Sequence, residues 1–282
     1  MAINRILAEL LIDEHKVEPF HGHFLQLGKQ DINLLHTEYK DLCGKKGFGT
    51  YEAPNGGEAS RYVTNHDFFH PFGFDQIQSL DYSAYEGSDI AHDLNIEIPE
   101  RLVGEYDLIL DGGTLEHVYD FPTAMASIGR MLKVGGRIIH TSPSSGNMDH
   151  GFYMFSPTLY HDYYTQNGFR LKKLLVSKRA WGKVAYYHYS PGMDLRKFND
   201  GNINLVVIAE KTEQSTANPP LQNFYLNRWE GGEQKTPPGT RFSAFLPFLT
   251  RHYVLYQFLR KMYVTLTKRR KKRVKPVLYK AY

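Results

Sequence analysis

From residue 21 onward, short apolar runs alternate with stretches of helical periodicity, and several of the runs stop on an acidic residue. Continuous apolar runs suit strands buried on both faces, and their alternation with helices implies a parallel sheet. Tyr106-Asp107-Leu108-Ile109-Leu110-Asp111 is the clearest strand, followed by a helix over 121–133 and a strand at Arg137-Ile138-Ile139-His140. Phe24 to Gly28, Ile77 to Asp81 and a short run ending near His92-Asp93-Leu94 read as three earlier strands. A helix over 31–43 rests on Ile32, Leu35 and Leu42, and another runs from Ser156-Pro157 to about Gln166, stopped by Asn167-Gly168. Leu171 to Val176 and Ile203 to Ala209 read as two last strands, for which an antiparallel arrangement is open.

Ahead of this alternation, Ile3, Ile6, Leu7, Leu10 and Leu11 share one helical face. Arg5, Glu9, Asp13 and Glu14 break any apolar run, so an amphipathic helix on the body is expected rather than a secretory leader. No stretch reaches the roughly 18 apolar residues that a membrane span requires. The single cysteine, Cys43, has no intrachain partner, which points to a reducing compartment, the cytoplasm.

Two stretches depart from the pattern. Residues 44–73 are rich in glycine, tyrosine, phenylalanine and histidine and separate the first two strands by more than a crossover needs, as functional loops do. Residues 212–241 have the composition of a linker. The expected organisation is a domain over 1–211 with an insertion at 44–73, the linker, and a terminal segment over 242–282.

Charge separates these parts. Residues 234–282 hold 13 of the 34 Lys and Arg and none of the 30 Asp and Glu, leaving a body of net charge −9. Such a body repels phosphate, which disfavours a nucleic-acid binder. In the terminal segment Phe245, Leu249, Leu255, Tyr256, Leu259, Met262, Tyr263 and Leu266 form an apolar helical stripe, and Lys268 to Arg273 are all basic. Three readings fit, in this order: an interfacial anchor over 242–275 on an anionic membrane surface at the inner face, a helix docked on the body or on a second subunit, and a nucleic-acid tail.

In an open parallel sheet, ligands bind beyond the carboxyl ends of the strands. The residues there are Gly28-Lys29-Gln30-Asp31, Asp81-Tyr82-Ser83, Asp93-Leu94-Asn95, Asp111-Gly112-Gly113-Thr114-Leu115-Glu116-His117 and Ser142-Pro143. An acid after the second strand suits a ribose diol, an acid beside an amide after the third suits an adenine amine, and small residues after the fourth let backbone approach a ligand. A lone strand-end Asp is usually a turn or helix cap. Three on one edge weaken that reading.

The run from Tyr106 to Val118, with Leu132-Lys133-Val134-Gly135-Gly136-Arg137-Ile138-Ile139 after its helix, resembles the fourth-to-fifth-strand passage of class I S-adenosylmethionine-dependent methyltransferases. The resemblance covers residues 21–211. It implies a Rossmann-like methyltransferase fold, a mostly parallel seven-stranded sheet with helices on both faces, and S-adenosyl-L-methionine as cofactor. It also implies Asp81 on the ribose, Asp93 with Leu94 at the adenine, and Gly28, Gln30, Asp111 and Gly112 along the remainder of the cofactor. Where the family commonly has three glycines after the first strand, this chain has only Gly28. A fold that has lost catalysis and serves as a binding module is therefore the alternative.

For a hydroxyl acceptor a base is needed, and His117 is the candidate, with Glu116 to orient it; both residues merely capping and packing the following helix is the competing reading. In the related quinone and small-RNA methyltransferases a Glu-x-x-Glu-His run supplies metal ligands. Here Gly113 replaces the first Glu, so no metal is expected, although His150 would be the residue to join Glu116 and His117 across the fold. His150-Gly151-Phe152-Tyr153-Met154-Phe155 would form an aromatic lid over the acceptor, or else pack in the core. Tyr51, His66, Phe68, Phe69 and His70 would close the pocket from the other side. His66 and His70 have the spacing of a helical metal pair, but Pro71 and the neighbouring glycines argue for a loop. The reaction expected is O-methylation of a glycan, lipid-linked or other small-molecule acceptor.

Overall fold

The computed structural model describes residues 2–51, 61–180, 183–198, 201–230 and 276–281. The chain divides into two compact units, one of Met1–Tyr189, Leu195–Pro220 and Val277–Tyr282, the other of Ser190–Asp194 and Leu221–Pro276. The first holds a nine-stranded sheet. Its strands are β1 (His23–Leu27), β2 (Gln76–Asp81), β3 (Ile90–Ala91), β4 (Tyr106–Asp111), β5 (Leu132–Ser145), β6 (Arg170–Ala180), β7 (Lys183–His188), β8 (Ile203–Glu210) and β9 (Val277–Ala281). Their order is β3-β2-β1-β4-β5-β8-β6-β7-β9. The first five pair in parallel; β8 enters antiparallel between β5 and β6 and reverses the local direction. This is the expected Rossmann-like arrangement, with nine strands instead of seven. The order turns back at β1 and β4, so ligand chemistry is expected beyond their carboxyl ends.

Strand pleating sorts the core into two faces. Phe24, Leu108, Leu110 and Ile139 face helices α1 (Arg5–Val17), α2 (His36–Lys46) and α3 (Asn65–Phe69), packing with Leu10, Leu11, Leu42, Phe68 and Phe72. The alternate residues, among them Ile109, Asp111, Ile138 and His140, are also buried. On their side lie α4 (Phe121–Met131), which buries Ala124, Met125, Ile128 and Met131, and α5 (Pro157–Gln166), which buries Tyr160, Tyr163 and Tyr164. Helices thus cover both faces. Asn4 caps α1 by accepting the N–H groups of Ile6 and Leu7.

Several elements differ from expectation. Ile32 and Leu35 precede α2: Ile32 bridges to Ile3 in parallel, and Leu35 is the N-cap residue. The strand expected at 137–140 runs from 132 to 145, its pairing with β4 shifting register between Leu132 and Arg137 and its pairing with β8 between Pro143 and Ser145. His66 and His70 are not loop residues. Thr64 caps α3 through the Asp67 N–H, and Pro71 sits in the first turn of a following 3-10 helix, where its missing N–H costs nothing. Phe68 and Phe69 lie in the core rather than over a pocket.

β9 takes the end of the terminal segment back to the sheet, where it pairs antiparallel with β7. There Lys280 forms ion pairs with Glu9 and Asp13 of α1, and Tyr279 meets Lys173 and Glu14. In the second unit the stretch read as linker contains α6 (Asn223–Glu230). Residues 52–60 of the insertion, 231–241 of the linker, and 242–275 with the apolar stripe and basic run lie outside the described residues. No described helix is long and apolar enough to cross a membrane.

Candidate active site

At the carboxyl end of β1 the chain turns through Gly28 at φ 68°, and its N–H donates to Leu80 O of β2 at 2.7 Å. A Cβ there would lie 2.6 Å from Thr114 Oγ1, which donates to Leu27 O at 2.6 Å. Only glycine satisfies both the left-handed backbone and this approach. The turn after β4 is thereby tied to the end of β1. Gln30 folds back beneath the turn: it is buried, its amide donates to Leu27 O at 3.2 Å, and its Oε1 has no partner. Gly112 makes room for it, since a Cβ at 112 would come within 2.8 Å of the Gln30 side chain.

Next along the edge, Asp81 at the end of β2 accepts the N–H of Tyr82 at 2.7 Å and of Lys29 at 3.3 Å. Asp93 follows β3. It accepts both the backbone N–H and the side-chain amide of Asn95, at 2.8 and 2.7 Å, and these bonds hold its carboxyl below the usual range. Asn95 Oδ1 accepts the Asp120 N–H at 2.8 Å, which fixes the amide that orients Asp93. Leu94 beside it is buried. Both carboxylates are partly exposed, on adjoining strands of one edge.

Asp111 behaves differently. Its side chain is fully buried, with no surface to offer a cofactor. Oδ1 accepts the N–H groups of Gly113, Thr114 and Leu115 at 3.3, 2.9 and 3.3 Å, and Oδ2 lies 2.8 Å from His140 Nδ1. His140 Nε2 is 2.5 Å from Tyr164 Oη. In the arrangement that satisfies all three groups, Tyr164 donates to Nε2 and Nδ1–H donates to the carboxylate. Expected as a cofactor contact, Asp111 instead anchors the turn that carries Glu116 and His117.

That turn brings Glu116, His117 and His150 together, with one ligating atom of each within 4.8 Å of the others. Glu116 is fully buried, and neither carboxylate oxygen has a hydrogen-bond partner. Burial, then the charge of Asp111, pushes its carboxyl up to about 7. The imidazole it meets is that of His150, Nε2 to Oε1 at 3.8 Å, and it makes no hydrogen bond to His117. Partial burial and then His150 lower the pKa of the exposed His117, whose ring lies 5.0 Å from that of His150.

His150 arrives on a loop bonded to the same turn. Phe152 and Tyr153 donate their N–H groups to Glu116 O at 2.8 and 3.2 Å, and Gly151 approaches so closely that a Cβ would stand 2.8 Å from that oxygen. Asp149, just before His150, has φ 68°. The expected lid divides: Phe152 is 67% exposed beside Tyr119, while Phe155 is buried against Phe121. Tyr51 on the insertion meets the His66 ring edge-on and the His70 ring at a tilt. A cavity of about 510 Å³ opens beside the β1 turn, lined by Lys29, Gln30, Asn33, Tyr62 and Thr64 among others. His140, Tyr160 and Tyr164 were not singled out by the sequence; the available signal was the four-residue spacing of two tyrosines on α5 opposite a strand histidine.

No protein-family model and no curated protein matches the sequence. Among solved structures, the chain is similar to 1,6-didemethyltoxoflavin-N1-methyltransferase of Burkholderia thailandensis, crystallised with 1,6-didemethyltoxoflavin and S-adenosylhomocysteine. The identity is 16% over 73% of this chain and 77% of that one, with a TM-score of 0.39. A SAM dependent methyltransferase from Archaeoglobus fulgidus gives 13% identity over 72% and 94%, with a TM-score of 0.37. The branched-chain polyamine synthase of Thermus thermophilus, in complex with N4-aminopropylspermidine and 5'-methylthioadenosine, gives 13% over 77% and 58%, with a TM-score of 0.39. The chain spans 52–58% of the length of four of the matched chains. Likeness at these scores says nothing of activity, which must be read from the side chains themselves.

Proposed function

We propose that this protein is an S-adenosylmethionine-dependent methyltransferase acting on an oxygen of a small-molecule, glycan or lipid-linked acceptor. The observation that carries the reading is the pair of partly exposed carboxylates, Asp81 and Asp93, after adjoining strands, beside a backbone cradle at Gly28 and Gly112. The residues fit the cofactor's chemistry group by group. Asp81 is free to accept from a ribose diol, and Asp93, held by Asn95, from an adenine amine. The unpartnered Gln30 Oε1 offers an acceptor to the amino acid end, an ammonium being the natural donor. When bound, the sulfonium supplies an already activated methyl group, leaving the protein to align the acceptor and remove its proton.

Glu116, His117 and His150 stand where that proton would go. With its pKa lowered, His117 is neutral near pH 7 and has a lone pair to offer. Exposed Tyr119 and Phe152 give the acceptor's ring or chain a surface to lie on. A binding module without catalysis is the second reading, favoured by the single glycine of the first turn and the Gln30 side chain filled in beneath it. Calorimetric titration with S-adenosylhomocysteine tests the cofactor site. Binding weakened about 5- to 100-fold by Asp81→Ala or by Asp93→Ala is expected, the worth of one or two lost charge-assisted bonds. No binding by the intact protein at millimolar ligand rejects the methyltransferase reading. Binding without turnover of any hydroxylated acceptor favours the module.

A further inference from the structure

We propose that Glu116, His117 and His150 form a binding site for a first-row divalent transition-metal ion, with positions left open to an acceptor oxygen. The strongest indication is Glu116. A carboxylate fully withdrawn from water ordinarily recovers its lost hydration through donors, and burying one unpaired is strongly unfavourable. Here neither oxygen has a hydrogen-bond partner on another residue, and the nearest imidazole, His150, is beyond hydrogen-bond range at 3.8 Å. A neutral carboxylic acid would not resolve this, since its O–H would also need an acceptor. A cation shared with two imidazoles does.

The surroundings are built to hold this arrangement. Glu116 and His117 sit on one turn, fixed from beneath by three N–H bonds to Asp111 and, through it, by His140 and Tyr164. His150 comes from a separate loop that the Phe152 and Tyr153 N–H groups clamp to Glu116 O, and Gly151 permits the approach. The left-handed Asp149 is a local backbone cost borne where the loop presents His150. Ligating atoms within 4.8 Å of one another need only small imidazole rotations to reach metal–ligand bonds of about 2.0–2.2 Å.

The donor set selects the class of ion. Two imidazoles and one carboxylate suit borderline ions such as Zn²⁺, Co²⁺, Mn²⁺ or Fe²⁺, whereas Mg²⁺ and Ca²⁺ prefer oxygen. Three protein ligands leave coordination positions for an exogenous oxygen, and both histidines are exposed, so the ion has a way in. Ion binding stands apart from the methyltransferase reading. Its role toward an acceptor rests on that reading: a bound ion lowers the pKa of a hydroxyl it ligates. The His117 lone pair then holds the ion, and the imidazole base described above belongs to the metal-free protein.

The test uses the full chain, freed of metal by a chelator and titrated with Co²⁺ while its visible d–d absorption is recorded, then with Zn²⁺ by calorimetry. Saturable binding with tetrahedral or five-coordinate Co²⁺ bands is expected. Glu116→Gln and, separately, His150→Gln should each weaken it by about 10-fold or more. His150 lies on an exposed loop, so that variant keeps the fold, which circular dichroism checks. His66→Gln controls for the other histidine pair and should leave binding unchanged. Absence of Co²⁺ bands, or affinity that survives both Glu116→Gln and His150→Gln, overturns the proposal, as does binding lost only with His66→Gln. S-adenosylhomocysteine titrated into the same preparations reports separately on the cofactor site, so failure of one reading is distinguishable from failure of the other.

Discussion

Asp111 joins the sheet to the reactive turn, and its replacement has a calculable cost. The carboxylate accepts three backbone N–H groups on Oδ1 and meets His140 on Oδ2. Asp111→Ala strands four buried donors, the three backbone N–H groups and His140 Nδ1–H. Each buried donor left unsatisfied costs about 1–3 kcal/mol, so the variant should lose about 4 kcal/mol or more. Asp111→Asn keeps the shape. Its amide oxygen still accepts the three N–H groups, and its NH₂ donates to His140 Nδ1 once the histidine proton has moved to Nε2, where it donates to Tyr164 Oη. Charge assistance and the acceptor of the buried Tyr164 O–H are lost, about 2–4 kcal/mol together. Urea unfolding at neutral pH, with the slope checked for constancy, measures both. An asparagine variant as unstable as the alanine variant would show that charge, not bonding geometry, holds the turn. An alanine variant within about 0.5 kcal/mol of the parent would refute the anchoring role altogether.

Three further outcomes are expected. Gly28→Ala should lose about 2 kcal/mol of stability and weaken S-adenosylhomocysteine binding, because φ 68° and the 2.6 Å approach of Thr114 both exclude a Cβ; unfolding and calorimetry report the two effects. In the presence of chelator, Glu116 makes stability fall with rising pH. Its folded pKa of about 7 lies above its ordinary 4.5, so the contribution is whole below the latter and lost as pH passes the former, by about 3 kcal/mol. Glu116→Gln should abolish that decline, seen by comparing urea midpoints at about pH 5 and about pH 8. Deleting residues 276–282 should lower the melting temperature by several degrees, since it removes Lys280, which pairs with Glu9 and Asp13 alongside Lys46, and uncovers β7; an unchanged melting curve would mean that β9 contributes nothing.

β4 was the most readable because Leu108, Ile109 and Leu110 are buried on both faces ahead of a terminal acid, whereas β1, with Gln26, and β2, with Gln78 and Ser79, were legible from their alternation with helices. β7 and β9 were not. Lys183-Val184-Ala185-Tyr186-Tyr187-His188 lies toward the sheet's margin and mixes polar and aromatic residues, while Val277 to Ala281 follow a basic run that suggests a tail. The helix at His66 was hidden by Pro71, which breaks a helix interior but suits a first turn. Asp81 and Asp93 could be placed by position alone, because each follows its strand directly. The Glu116–His150 encounter could not: it depends on Gly151 docking a loop from 34 residues away, a contact with no trace in local periodicity. Asp111 misled for a related reason. Strand register decides whether a terminal side chain faces the ligand edge or the layer beneath, and β4 turns this one toward α5.

Lys280 and Asp13 are 267 residues apart in sequence yet adjacent in space. Closing so long a span must precede any gain from the contact, which places β9 among the late steps of folding. Until then each chain presents the vacant side of β7 and a loose strand shaped to fill it. At high concentration those two halves can come from different copies, so strand exchange between molecules is the misassembly this topology invites, and slow, dilute refolding is the condition that disfavours it.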